Sequence, residues 1–318
     1  MKECNLRIIF FVLSLVFLSF NLCAARLITP IPQKIEYNEA KALLGKKLFY
    51  EKMLSKDKKI SCASCHDLYS GGTDHRKFSI GVFNRVHSIN SPTVYNAIFN
   101  FRQNWNGSAK DLKEQAAMAI KGFSEMDMTE KEVEDRLNKS SKYRELFYKV
   151  YGINEIKFSY VIDAIAEFEK ALITPNCKFD KYLRGEIELT EDEKDGFSLF
   201  KSLGCITCHN GVNLGGNSYQ KIGIIFPHKW SEKVPDLYQI TKDPEDKNVF
   251  KVPTLRNIEI TYPYFHDGSA KTLKEAVEKM ALHNLGLELN KEEMKKILMF
   301  LKTLTGELPD IIKENKEK

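Results

Sequence analysis

Two short stretches carry residue types able to do chemistry at short range: S-C-A-S-C-H at 61–66 and G-C-I-T-C-H at 204–209. Two cysteines separated by two residues fit a zinc knuckle, a dithiol redox pair or a haem anchor. A histidine directly after the second cysteine favours haem. Cys62 and Cys65 would hold the porphyrin through thioethers and His66 would stand under the iron; Cys205, Cys208 and His209 repeat the set. A zinc site built from both motifs would use four thiolates and leave both histidines spare. A six-coordinate haem needs a second axial ligand, usually Met or His, and Met raises the reduction potential. Met280, in A-V-E-K-M-A-L-H, is the candidate, with His283 as its rival and core packing as the ordinary fate of a helical methionine.

The elements that position these residues come in two copies. At a shift of 161 positions, S-P-T-V-Y-N (91–96) meets V-P-T-L-R-N (252–257), and N-G-S-A-K-D-L-K-E (106–114) meets D-G-S-A-K-T-L-K-E (267–275). The chain is therefore a duplication of one haem-carrying unit, with its boundary expected near residues 173–182, which gives units 26–177 and 178–318. The same shift sets Ala119 against Met280, so only one unit offers the methionine. Thr129 with Glu132, Thr190 with Glu193, and Asn290 with Glu293 have capping-box spacing. Apolar residues recur at helical period over 156–172 and 294–304, and Ser108 and Ser269 are expected as N-caps. Alternating strand patterns are nearly absent, so the fold class is mostly α, with two tandem haem domains.

The rest of the composition narrows the setting. Lys2 and Arg7 precede an apolar run that ends in C-A-A, the layout of a secretory signal peptide over residues 1–25 cleaved near Ala25. An uncleaved anchor is the alternative. The mature protein is expected in the periplasm. Of seven cysteines, Cys4 and Cys23 fall in the leader and Cys177 is expected to be a semi-buried bystander. The net charge of +5 falls to +4 once Lys2, Glu3 and Arg7 leave with the leader, and four haem propionates would offset it, so it gives no case for nucleic acid or membrane partners.

Across residues 34–306 the chain resembles the bacterial di-haem cytochrome c peroxidases, including their MauG-like relatives. The resemblance lies in L-S-K-D-K-K-I-S-C-A-S-C-H, S-P-T-V-Y-N-A-I-F-N, Q-N-W-N-G and Q-A-A-M-A-I-K-G-F-S-E-M. The second half adds L-F-K-S-L-G-C-I-T-C-H-N-G, V-P-T-L-R-N, P-Y-F-H-D-G-S and L-K-E-A-V-E-K-M. It implies two cytochrome c-like domains with two covalent haems c. The N-terminal haem would react with hydrogen peroxide, and the C-terminal haem, ligated by Met280, would receive electrons from a small cytochrome c or cupredoxin. Glu125 is implied as the acid-base residue, Gln115 as its polar neighbour and Trp105 as the tryptophan between the haems. Asn90, with the carbonyl oxygens of Thr261 and Pro263, is implied as a calcium site, and the family commonly dimerises. His266 matches a recurrent residue without an assigned role.

The residues suit these roles. Cleaving the O–O bond of peroxide requires a proton to move from one oxygen to the other so that water can leave, and a carboxylate serves as base and then acid. Glu125 stands among Phe123, Met126 and Met128, where an apolar setting would raise its pKa. Asparagine plus two carbonyls is a sparse calcium set that waters would have to complete. A MauG-like oxidase acting on a protein substrate and a non-catalytic di-haem carrier are the competing readings. In the MauG-like relatives a tyrosine takes the place of the methionine ligand, and here the methionine is retained. One departure stands out: many family members block the N-terminal haem at rest with a histidine from the loop after S-I-G, and here Val82 stands there. His75 or His87 would have to replace it; the expectation is that both are surface loop histidines and that this haem is open. The mature chain should gain the mass of two haem groups under denaturing conditions, read by mass spectrometry; a zinc-bearing chain without Soret absorption would refute covalent haem.

Overall fold

The computed structural model describes residues 27–227 and 234–313, so the expected leader lies outside the described residues. Eleven α-helices follow in order among them: α1 (Glu39–Phe49), α2 (Leu112–Lys121), α3 (Glu130–Lys139), α4 (Ser141–Tyr151), α5 (Phe158–Lys170), α6 (Lys178–Leu183), α7 (Glu191–Ser202), α8 (Tyr238–Thr241), α9 (Leu273–Met280), α10 (Lys291–Lys302) and α11 (Asp310–Lys313). The only strands described, Tyr219–Lys221 and Val249–Lys251, form one antiparallel pair. The mostly helical class holds, as do the three expected capping boxes.

Both halves are built around one helix crossing. In the first, α1 packs across α5, and a Cβ added to Gly45 would lie 1.8 Å from the Ala164 carbonyl oxygen. In the second, α7 packs across α10, and a Cβ on Gly196 would lie 2.0 Å from the Lys296 carbonyl. Backbones approach this closely only where the side chain is a hydrogen. Apolar clusters complete each core, with Leu48, Phe147, Val161 and Ile165 in the first and Phe179, Phe200, Phe300 and Leu301 in the second.

Two expectations are corrected. Ser108 and Ser269 do not cap helices: α2 is capped by Asp111 and α9 by Thr272, the latter with Glu275 in a capping box. The serines sit one turn too early because the chain there is still extended, in the isolated bridges Gln103–Ala109 and Tyr264–Ala270. Cys177 is no bystander. It is 1 % exposed, caps α6 by accepting the Asp180 N–H at 3.3 Å, and lies 3.2 Å from an Arg256 nitrogen. Arg256 in turn pairs with Asp180 at 2.7 Å, both fully buried.

The duplicated motifs meet face to face. Asn96 and Asn257, equivalent under the 161-residue shift, both take the left-handed conformation that asparagine tolerates. Their amides donate to one acceptor, the Thr174 hydroxyl in the linker, at 2.7 and 2.9 Å. Asn90 N–H donates to the His266 carbonyl and Lys251 N–H to the Trp105 carbonyl, each at 2.8 Å. Since 90 matches 251 and 105 matches 266, this is a reciprocal pair about a pseudo-two-fold axis. The chain ends are exchanged. Ile28 packs in the second-half core, while Ile311 and Ile312 pack with Ala42, Phe49 and Leu68 of the first. Thr174→Val would leave both buried asparagine amides without their acceptor, at a cost of about 2–4 kcal/mol from two unsatisfied donors. Thr174→Ser should recover most of it; thermal or denaturant unfolding of the three proteins is the check.

Candidate active site

Each C-x-x-C-H stretch forms one 3₁₀ turn, Cys62–Ser64 and Cys205–Thr207. The His66 N–H donates to the Cys62 carbonyl and the His209 N–H to the Cys205 carbonyl, each at 3.0 Å. The turn thus gathers two thiols and an imidazole. The His66 ring is held by the carbonyls of Gly72, 3.2 Å from Nδ1, and Pro92. His209 is held by those of Leu214, also 3.2 Å from Nδ1, and Pro253. Pro92 and Pro253 are another duplicated pair. A proton fixed on Nδ1 leaves Nε2 as the metal-binding atom. Burial lowers the pKa of both rings, that of His209 to about 4, which keeps them neutral. The two turns stand in separate cores, Cys62 in the first and Cys205 in the second, so four thiolates do not converge on one zinc.

In the second half Cys205, Cys208, His209 and Met280 line one largely apolar cavity. Met280 is the last residue of α9, where the helix widens into a π turn at Ala281–Leu285. The rival His283 does not line the cavity, and its Nδ1 is 2.8 Å from the Phe226 carbonyl. Lys251 lines it too. It is 7 % exposed, burial lowers its pKa to about 8, and its ammonium has no partner among the described residues. A buried cation needs an anion, and a haem propionate is one; thiols, imidazole and lysine together fit the group.

Trp105 stands where the halves meet. Its indole N–H donates to the Asn90 carbonyl at 2.8 Å, and its edge faces His266 at 6.2 Å. His266 is stacked on Phe250 at 4.1 Å, and burial lowers its pKa to about 4. Asn90, Thr261 and Pro263 line the same cavity as Trp105. The Asn90 side-chain amide donates to the Arg76 carbonyl at 3.0 Å, so its own oxygen is the atom left for a cation.

In the first half, Glu125 follows α2 in a tight turn, its N–H donating to the Gly122 carbonyl at 3.0 Å. The carboxylate folds back over Gly122, where a Cβ would come within 2.1 Å of Oε2. Surrounding protein desolvates it and raises its pKa to about 7, although 38 % of the side chain stays open to solvent. Gln115, on α2, is half-buried, and no hydrogen bond joins it to Glu125 among the described residues. The loop that follows Ser79 is fastened to this turn: Val82, fully buried, donates its N–H to the Glu125 carbonyl at 2.9 Å. Arg85 reaches the Phe123 carbonyl at 2.7 Å and Asp127 at 2.8 Å.

Neither loop histidine is the surface residue expected. His75 stacks on Tyr262 at 4.1 Å, with Nδ1 on the Tyr262 carbonyl at 2.8 Å and Nε2 on the Ser70 hydroxyl at 2.6 Å. Both nitrogens are occupied, so iron is out of the question in this conformation. His87 is half-buried, with Nε2 3.8 Å from Glu125 Oε1. Lys251 and Glu169 were not found from the sequence. Glu169, on α5, is 5 % exposed, is raised to about 8 by burial, and acts electrostatically on Cys62. Lys251 had a signal, since it directly precedes the repeated V-P-T-L-R-N; Glu169 had none inside its apolar helix.

The fold and the paired anchoring turns define a tandem c-type haem protein. A family model described as di-haem cytochrome c peroxidase matches residues 39–188, and a cytochrome c model matches 193–305. The chain is 49 % identical over 284 residues to the cytochrome c551 peroxidase of Nitrosomonas europaea, covering 89 % of this chain and 85 % of that one. It is 42 % identical to the cytochrome c peroxidase Ccp of Escherichia coli, over 88 % of this chain and 61 % of that longer protein. Among solved structures, a MauG-like protein associated with microbial copper homeostasis superposes with a TM-score of 0.78 at 29 % identity, covering 88 % of this chain and 93 % of that one. The chain belongs to the di-haem cytochrome c peroxidase family, and it is a peroxidase carrying two haems c. Met280→His should lower the potential of the C-terminal haem, because imidazole favours ferric iron more than thioether does. A redox titration that finds potential and spectrum unchanged would remove Met280 from the iron.

Proposed function

We propose that this is an exported, periplasmic enzyme that reduces hydrogen peroxide to water at the N-terminal haem unit, 26–177, with electrons received through the C-terminal unit, 178–318. The observation that carries this reading is the Glu125 carboxyl, folded over Gly122 and poised near neutral pKa. Haem, anchored through Cys62 and Cys65 with His66 as iron ligand in one unit and through Cys205 and Cys208 with His209 and Met280 in the other, would supply the electrons that reduce peroxide in the first unit. Glu125 takes a proton from the near oxygen of peroxide and returns it to the far one, so that water departs. Gln115 would orient the peroxide from α2. Trp105, bonded to Asn90 on one side and Lys251 on the other, fills the path between the units. Asn90 and the carbonyls of Thr261 and Pro263 would hold one calcium ion across the seam, completed by water. The donor class is a small cytochrome c or a cupredoxin. Met280 in the second cavity favours this reading over a MauG-like oxidase, in which a tyrosine stands at that place.

The pH dependence has a definite sign. A general base must be deprotonated, and the Glu125 pKa is raised to about 7. The second-order reaction with peroxide should therefore fall as pH drops below about 7. Glu125→Gln should keep both haems, abolish that limb and cut turnover by about a hundredfold or more, the range for acid-base catalysis. Stopped-flow mixing with peroxide and steady-state turnover with reduced cytochrome c are the measurements; near-normal turnover would end the assignment.

A further inference from the structure

His87 is the single basic side chain within ion-pair range of Glu125 among the described residues. Its ring is set by the backbone: Nδ1 accepts the Ile89 N–H at 3.3 Å, so in the neutral ring the proton is on Nε2. That Nε2–H lies 3.8 Å from Glu125 Oε1. The gap exceeds a hydrogen bond, but catalytic contacts in ligand-free sites are commonly long and tighten when the substrate arrives. The loop is built to keep the ring there. His87 N–H donates to the Ser79 carbonyl and Val82 N–H to the Glu125 carbonyl, both at 2.9 Å, and a Cβ on Gly81 would strike the Ser124 carbonyl at 2.1 Å. Other charges nearby are engaged elsewhere. Arg85 is paired with Asp127 at 2.8 Å, and Asp57 accepts the Phe83 N–H at 2.9 Å.

We propose that His87 is a positioning residue of the peroxide site, its Nε2–H steadying the Glu125 carboxylate from the side opposite Gly122. The two faces divide the work. Gly122 gives the carboxylate room by lacking a side chain, and His87 supplies the directional bond that selects one orientation within that room. Burial lowers the His87 pKa and raises that of Glu125, so near neutral pH the ring is an uncharged donor beside a carboxyl that takes and releases the proton. The same ring cannot both face Glu125 and ligate iron, so the residue that looks like a displaced loop ligand has a different task.

This inference rests on the assignment of Glu125 as the proton-transfer residue, and the test separates the two. In the purified di-haem protein, His87→Ala should slow the reaction with hydrogen peroxide about ten- to hundredfold, the weight of one hydrogen bond to a charged group. It should also move the acid limb of the rate to higher pH, because a lost donor disfavours the carboxylate. His87→Gln, which keeps an N–H donor, should restore both, and electron paramagnetic resonance of the oxidised protein should show the same haem spin states in all three. An unchanged rate in His87→Ala beside an inactive Glu125→Gln overturns the positioning role and leaves the Glu125 assignment standing. His87→Gln as slow as His87→Ala overturns the donor argument. Conversion of a low-spin to a high-spin signal in His87→Ala overturns it in favour of iron ligation. An active Glu125→Gln removes both assignments.

Discussion

One hydroxyl, that of Thr174, accepts an amide from each half of the molecule. Asn96 and Asn257 come from the two copies of the duplicated motif, and the linker residue between the copies is where they meet. Thr174 also donates its own backbone N–H to the Asn96 side chain at 2.8 Å, and Asn257 accepts the Gly306 N–H at 3.0 Å. All three side chains are buried, so each bond carries the full penalty of its absence. This junction ties both units to the linker. The reciprocal backbone bonds of Asn90 with His266 and Lys251 with Trp105 join the same two units a second time, and the indole of Trp105 is bonded beside them.

Function enters where the symmetry breaks. Met280 answers Ala119, Lys251 answers Asn90, and His266 answers Trp105 at equivalent positions. Two of these exchanges give the second half something the first lacks, a thioether on the cavity wall and a buried cation, and the third sets an imidazole against an indole. The first half acquires its carboxyl in the turn after α2, where α9 of the second half runs instead into a π turn. A shared scaffold thus supports a partly desolvated carboxyl on one side and an apolar, methionine-bearing cavity on the other.

Most of this was legible along the chain because it rests on local spacing. The C-x-x-C-H turns need only five residues, capping boxes four, and the echo gave the duplication. Helix starts at Ser108 and Ser269 were misplaced because the bridges that delay them pair residues within a tight loop, which no helical period records. Lys251 is marked only by its place just before the repeated V-P-T-L-R-N, whereas the burial of Glu169 has no local signal because it depends on which elements pack around it. His87 was read as a surface residue for the same reason: its ring is placed by bonds of the loop to a turn nearly forty residues away, such as that of Arg85 with Phe123.

The exchanged chain ends bear on how the protein comes to be folded. Thr29 accepts from Arg256 across 227 residues, and Ile311 accepts from Lys46 across 265. Closing loops of that length costs entropy that shorter contacts do not, and such contacts form late. The first half does not own its complete core until Ile311 and Ile312 have been synthesised and have crossed to it. A nascent chain therefore holds an open first unit while the second is still being made, and in the finished protein fraying at one terminus loosens the unit at the opposite end of the sequence.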